Sequence, residues 1–99
     1  MIKSDQILPE HIVAQSEGNI VSDMGNEKVM LNIENGKYYN LGEIGGDIWE
    51  SISKPTQVNE LVNHIVKKYD VQTDKCEEEV ISFLENMYQE NLIELVVED

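Results

Sequence analysis

Glu34-Asn35-Gly36-Lys37-Tyr38-Tyr39-Asn40-Leu41, followed closely by Ile44-Gly45-Gly46-Asp47-Ile48-Trp49, decides the fold of this chain. Asn-Gly is the strongest two-residue hairpin signal, because both central residues of a type I′ turn need positive φ, which Gly adopts freely and Asn tolerates. The stretch therefore reads as a tight hairpin whose second strand ends directly in a helix. A two-residue loop pairs Glu34 with Lys37, which are opposite charges, and Ile33 with Tyr38, an aromatic beside a β-branched residue. Both pairings are favourable across strands. The last strand of such a hairpin presents an edge of unpaired N–H and C=O groups. That edge must be covered, blunted with charge, or used to bind another strand.

Upstream of the turn, Lys28 to Glu34 alternates, with Val29, Leu31 and Ile33 on one face and Met30, Asn32 and Glu34 on the other. Gly25-Asn26 separates this run from Ile20 to Met24, and Ile12-Val13-Ala14 is a further short strand candidate. Met1 to Pro9 has no period and reads as a loose arm. Downstream, Ile44, Ile48, Trp49 and Ile52 share one helical face, and Lys54-Pro55 ends that helix. Thr56 has the chemistry of an N-cap, ahead of Val58, Leu61, Val62, Ile65, Val66 and Tyr69 at helical spacing. A third helix starts near Thr73 or Asp74, with Glu77, Glu78 and Glu79 in its first turns, where negative charge favours the helix dipole. Its apolar face is Cys76, Val80, Phe83, Leu84 and Met87. Asn91 suits a left-handed position after the helix, with Leu92-Ile93 folding back onto the core.

These 99 residues suit a single domain, without room for a second lobe around a deep catalytic cleft. The organisation expected is an arm over 1–18, a domain over 19–94 and a tail over 95–99. No apolar run approaches the about 18 residues of a membrane span, and Met1-Ile2-Lys3-Ser4-Asp5 opens no signal peptide, so a cytosolic protein is expected. Cys76, the single cysteine, agrees with a reducing compartment. Seven lysines against twenty acidic residues give a formal net charge of −13. Such a surface repels nucleic acid and anionic lipid and attracts basic peptides.

Catalytic chemistry is scarce. His11 and His64, with one distant Cys, have no zinc-ligand spacing, and Asp70, Asp74 and Glu77 to Glu79 lack the glycine of a calcium loop. His64 falls on the polar side of its helix and reads as a solvated residue. Cys76 reads as a small buried hydrophobe. There is no phosphate-binding loop, nucleophile elbow or catalytic carboxylate pair, so neither enzyme, metal nor cofactor is expected.

The expected fold is α+β and winged-helix-like, a small antiparallel three-stranded sheet followed by three helices. In this setting the Gly36-Lys37-Tyr38-Tyr39-Asn40-Leu41 strand, the Ile44 to Trp49 helix, the Leu61-Val62 to Tyr69-Asp70-Val71 helix and the Phe83-Leu84 to Asn91-Leu92-Ile93 ending resemble the PqqD-like proteins. These are recognition elements for the precursors of ribosomally made, post-translationally modified peptides, and free-standing members of this length are typical of lasso-peptide pathways. The resemblance spans roughly Asn19 to Glu94. Asn91 stands where a Gly is common, and Gly42 follows Leu41 where many members have Asn, which removes a helix-capping side chain.

The resemblance implies a non-catalytic adaptor. A precursor's leader segment would add a strand along Lys37, Tyr38, Tyr39, Asn40 and Leu41 and set its side chains against the third helix. Tyr38, Tyr39, Val80, Phe83, Leu84 and Met87 are the candidate pocket walls, with plain core packing the competing reading for the helix residues. The partners implied are a leader, basic by charge complementarity, with a leader peptidase and a macrolactam-forming cyclase. The open edge also admits pairing with a second copy of the chain. Two alternatives stand beside this reading: recognition for a radical-SAM peptide-modifying enzyme, or a winged-helix transcription regulator. The regulator would need a basic recognition helix, whereas Lys67, Lys68 and Lys75 lie among many acids.

Overall fold

The computed structural model describes residues 6–25 and 27–96. Strands β1 (Ile12–Gln15), β2 (Asn19–Met24), β3 (Glu27–Asn32) and β4 (Tyr38–Leu41) come first. Helix α1 (Gly42–Ser51), β5 (Thr56–Gln57), α2 (Val58–Tyr69), α3 (Thr73–Gln89) and β6 (Ile93–Val96) follow. The α+β class expected from the sequence is the one observed, with an addition. Besides the antiparallel β2-β3-β4 sheet there is a second one, ordered β5-β1-β6. The chain after Leu92 does more than fold back, since β6 pairs with β1 along its whole length, Gln15 opposite Ile93 and Ile12 opposite Val96.

The hairpin forms where expected, but with a different turn. Leu31 lies opposite Tyr38, Met30 opposite Tyr39 and Val29 opposite Asn40, so the register is two residues away from the Ile33–Tyr38 pairing of a type I′ loop. Side chains close the longer loop. The Asn32 Oδ1 accepts the Asn35 N–H at 2.9 Å, and the Asn35 Oδ1 accepts the Lys37 N–H at 2.8 Å. Only Gly36 takes positive φ, at +70°, and Asn35 does not. Asn side chains that bond the backbone two or three residues on make this turn without left-handed strain at a second residue. The Glu34–Lys37 pair is lost, and the Lys37 Nζ lies 3.8 Å from Glu90 instead.

Helix α1 follows β4 without a loop. Gly42 turns the chain with φ +73°, and the Asn40 Oδ1 accepts its N–H at 3.0 Å, while no side chain caps the first turn of α1. Ile48, Trp49 and Ile52 are buried. The approach of α1 to the sheet is close: a Cβ on Gly46 would lie 2.8 Å from the Lys28 Cγ and Cδ.

Thr56 is not the N-cap of α2. It lies in β5, and its hydroxyl bonds the carbonyls of Ser51 and Lys54. The first α2 amides are satisfied from the N-terminal segment, Val58 by His11 O and Asn59 by Pro9 O. That segment is therefore no loose arm from Gln6 onward. Ile7 is buried, and its N–H is bound by Glu85 Oε2 at 2.9 Å. What was expected of residues 1–5 lies outside the described residues. At the end of α3, Asn91 takes φ +64° as expected, with Leu92 N–H bonded to Met87 O and Asn91 N–H to Tyr88 O, a complete Schellman ending.

Candidate functional site

Strand β4 is an edge of its sheet. Asn32 N–H bonds Lys37 O at 3.0 Å. By the alternation of an antiparallel ladder, Tyr39 then exchanges bonds with Met30, while the N–H and C=O groups of Tyr38 and Asn40 face away from β3; beyond Asn40 the register slips by one residue and Lys28 bridges Gly42. Two residues thus present main-chain donors and acceptors to an incoming strand.

The side chains of β4 alternate in the other direction. Tyr39 and Leu41 lie on the inner face, shared with the buried Met30, whereas Tyr38 and Asn40 lie on the outer one. Leu41 closes one end of a cleft of about 450 Å³ between α1 and α3. Ile44, Gly45 and Ile48 of α1 line it on one side, and Cys76, Val80 and Phe83 of α3 on the other. Ile65 and Val71 form its far end, and Gln72, Lys75 and Glu79 its polar lip. Ile44 and Val71 are large apolar side chains exposed where they line it. Gly45 is what keeps the cleft open, since a Cβ there would stand 3.0 Å from the Phe83 ring.

Of the residues singled out from the sequence, Leu41, Val80 and Phe83 line this cleft. Leu84 and Met87 do not; they are buried one turn further along α3 in the core. Tyr38 projects from the opposite face of the sheet and forms no wall. Tyr39 is half-buried and spans from the hairpin to the end of α3, its hydroxyl donating to Glu90 Oε1 at 3.0 Å and accepting from Asn35 Nδ2 at 3.2 Å. Lys37 is exposed beside it. Sequence reasoning missed the α1 wall and the Ile65–Val71 end, although Ile44 carried a signal: it precedes Ile48 by four residues yet belongs to the rim of the buried stripe.

Burial pushes the Cys76 thiol up, helped by the Glu79 charge, so Cys76 is a protonated apolar wall. Away from the cleft lining, α1 is fixed to α2 by Asp47. The Asp47 carboxylate receives Lys68 Nζ at 2.7 Å and Tyr69 OH at 3.2 Å, with His64 Nε2 at 3.1 Å. Burial alone would raise this carboxyl, but the hydrogen bonds from Lys68, His64 and Tyr69 together outweigh it and hold it below its ordinary value. His64 is therefore a half-exposed partner of α1 rather than a merely solvated side chain.

The family model for coenzyme PQQ synthesis protein D (PqqD) matches residues 27–93. The chain belongs to the PqqD family. Among solved structures it is similar to one described as TbiB1 in complex with the TbiA(beta) leader peptide, at a TM-score of 0.75 and 24% identity, over 86% of this chain and 99% of that one. No curated protein sequence matches the chain.

Proposed function

We propose that this chain is a non-catalytic adaptor that binds the leader of a ribosomally made precursor peptide by strand addition to β4 and delivers it to separate maturation enzymes. The observation that carries this reading is the adjacency of an open strand edge to an apolar cleft. Main-chain bonds to Tyr38 and Asn40 supply affinity with little sequence preference, and the cleft at the Leu41 end takes an apolar leader side chain and so supplies selectivity. Membership of the PqqD family and similarity to a chain solved with a leader peptide support it. The setting we propose is a lasso-peptide pathway, with a leader peptidase and a macrolactam-forming cyclase as recipients, and the similarity to a chain solved with a leader peptide supports it. The net charge of −13 favours a basic leader, whose association slows as salt screens the field over about 8 Å.

The test is a proline on the outward side of the edge. Tyr38→Pro removes an N–H that faces away from β3, so the ladder to Met30 is kept; Tyr39→Pro would break that ladder. Fluorescence polarization of the precursor's labelled leader should show binding to the wild type and none to Tyr38→Pro, with the melting temperature of the variant within a few degrees. A folded Tyr38→Pro protein with wild-type affinity would show that the leader is not an added strand.

A further inference from the structure

We infer that Glu90, at the end of α3, is a specificity-determining residue, which receives a lysine or arginine of the leader two residues away from the apolar side chain seated in the cleft. The inference rests on the proposed strand addition and names the kind of leader that it selects. Tyr39 and Leu41 are two apart on the inner face of β4, so an added strand sets two of its own inward side chains against them, also two apart. The one facing Leu41 meets the apolar cleft. The one facing Tyr39 meets a polar surface, because the Tyr39 ring runs across to the α3 terminus and its hydroxyl donates to Glu90 Oε1 at 3.0 Å. The main-chain groups of Tyr39 are turned to Met30. On the open side Tyr39 is therefore a non-hydrogen-bonded position, where facing side chains come closest in an antiparallel pair.

The electrostatics of this end of α3 call for a cation. Helix α2 closes on Lys67 and Lys68, which suit the negative end of its dipole. Helix α3 has no basic residue in its last turn, and the chain places a carboxylate, Glu90, at its cap. The ion partner of Glu90 among the described residues is Lys37, but the Lys37 Nζ stops 3.8 Å from it and the side chain is 64% exposed. A charge-assisted hydrogen bond closes to about 2.8 Å, so a leader cation at that distance displaces Lys37. Its path lies along the Tyr39 ring, whose π face also attracts it. The Tyr39 hydroxyl already holds the carboxylate in place, which lowers the entropy cost of the new contact. The overall charge of −13 draws in any basic peptide, wherever its charges lie. Glu90 instead reads one position, fixed by strand register relative to the cleft.

The test exchanges charges. Full-length wild type, Glu90→Gln and Glu90→Lys are titrated by fluorescence polarization with a synthetic labelled leader of the precursor encoded beside the gene. The same is done with leader variants in which each Lys or Arg in turn becomes Glu, and alanine replacement of the leader's apolar residues locates its anchor as the one whose truncation costs most. Glu90→Lys puts a cation at a helix C-terminus, a favourable place, so the fold is kept, and melting temperatures check it. One basic position, two residues from the anchor, should weaken wild-type binding about five- to tenfold when it becomes Glu, and Glu90→Gln should weaken binding of the native leader about equally. Glu90→Lys should bind that Glu-bearing leader within about twofold of the wild-type pair, since opposite charges face each other again. Glu60→Lys, on the exposed side of α2, changes the net charge equally and should rescue nothing. A bound leader without Lys or Arg, the absence of any exchange, an exchange at any other spacing, or equal rescue by Glu60→Lys each overturns the inference. Failure of the wild-type protein to bind leader defeats the adaptor reading itself.

Discussion

The two faces of the β2-β3-β4 sheet are built from the same strands and meet opposite fates. On the inner face Met30 is fully buried and Asn32 is 4% exposed, while on the outer face Ile33 is 60% and Tyr38 73% exposed. Hydrophobicity alone would reverse this choice, since β3 offers Val29 and Leu31 to the outside and an asparagine to the inside. What decides it is fit. Helix α1 comes so near β3 at Gly46 that the flexible stem of Lys28 and the unbranched Met30 suit the space beneath it, and Asn32 has a full set of partners in Asn19 and Asn35. A buried polar group that is satisfied costs little, and one left unpaired costs far more.

The sharpest test of that comparison truncates one residue on each face. Met30→Ala should lower the unfolding free energy by about 2–5 kcal/mol, the cost of emptying a filled core position. Ile33→Ala, at an exposed site, should stay within about 0.5 kcal/mol of wild type. Chemical denaturation of both variants checks this. Equal costs would mean that the outer face is as covered in solution as the inner one.

The adjacent glycines of α1 divide the inner face from the cleft. Gly46→Ala drives a Cβ into the Lys28 stem, which is itself held by Asp23 and by Glu50, the latter at 2.7 Å, so helix and sheet must separate slightly. A loss of about 1–3 kcal/mol is expected, as for other overpacked sites. Gly45→Ala meets the half-buried Phe83 ring, which can give way into the cleft. Its stability should change little, because the helix preference of Ala over Gly, about 0.5–1 kcal/mol, offsets the displacement. Leader affinity should fall severalfold as the ring narrows the cleft. Thermal unfolding and polarization read the two effects separately, and an unaltered affinity in Gly45→Ala would exclude the cleft from the binding site.

Much of this was legible in the sequence. The three helices followed from periodicity, and the strand that ends in α1 from Asn35-Gly36 and the residues after it, because these are local signals. The register was not legible, since the loop is closed by the Asn32 side chain, which the Asn35-Gly36 signal does not include. The second sheet joins β1 to β6, about eighty residues apart, a pairing that no local pattern encodes. For the site, the α3 stripe gave Val80 and Phe83 but also Leu84 and Met87, because one apolar face serves core and cleft alike, and only the tertiary arrangement says where one ends. Tyr38 was misplaced by the simplest rule available: adjacent strand residues point to opposite faces, and both tyrosines could not share a wall.

The smallest stability loss among the buried or half-buried anchors concerns what fixes α1 to α2. The Asp47 carboxyl is held below its ordinary value by Lys68, His64 and Tyr69, against the opposing effect of burial. A carboxyl depressed on folding contributes stability that is present above its unfolded value, about 3.9, and is lost as pH falls through the folded one. Asp47→Asn removes the charge and should cost about 1–2 kcal/mol at pH 7, the difference expected when hydrogen bonds to a charged group become neutral ones. The difference between wild type and variant should begin to shrink below about pH 3.9, where the unfolded chain's carboxyl takes up its proton while the folded one still holds its charge, and go on shrinking until the folded carboxyl is protonated too. Outer-face variants such as Ile33→Ala should show no such convergence. Urea midpoints between pH 3 and pH 7 decide it, and a gap between wild type and Asp47→Asn that stays constant over that range would mean that shape, not charge, fastens α1 in place.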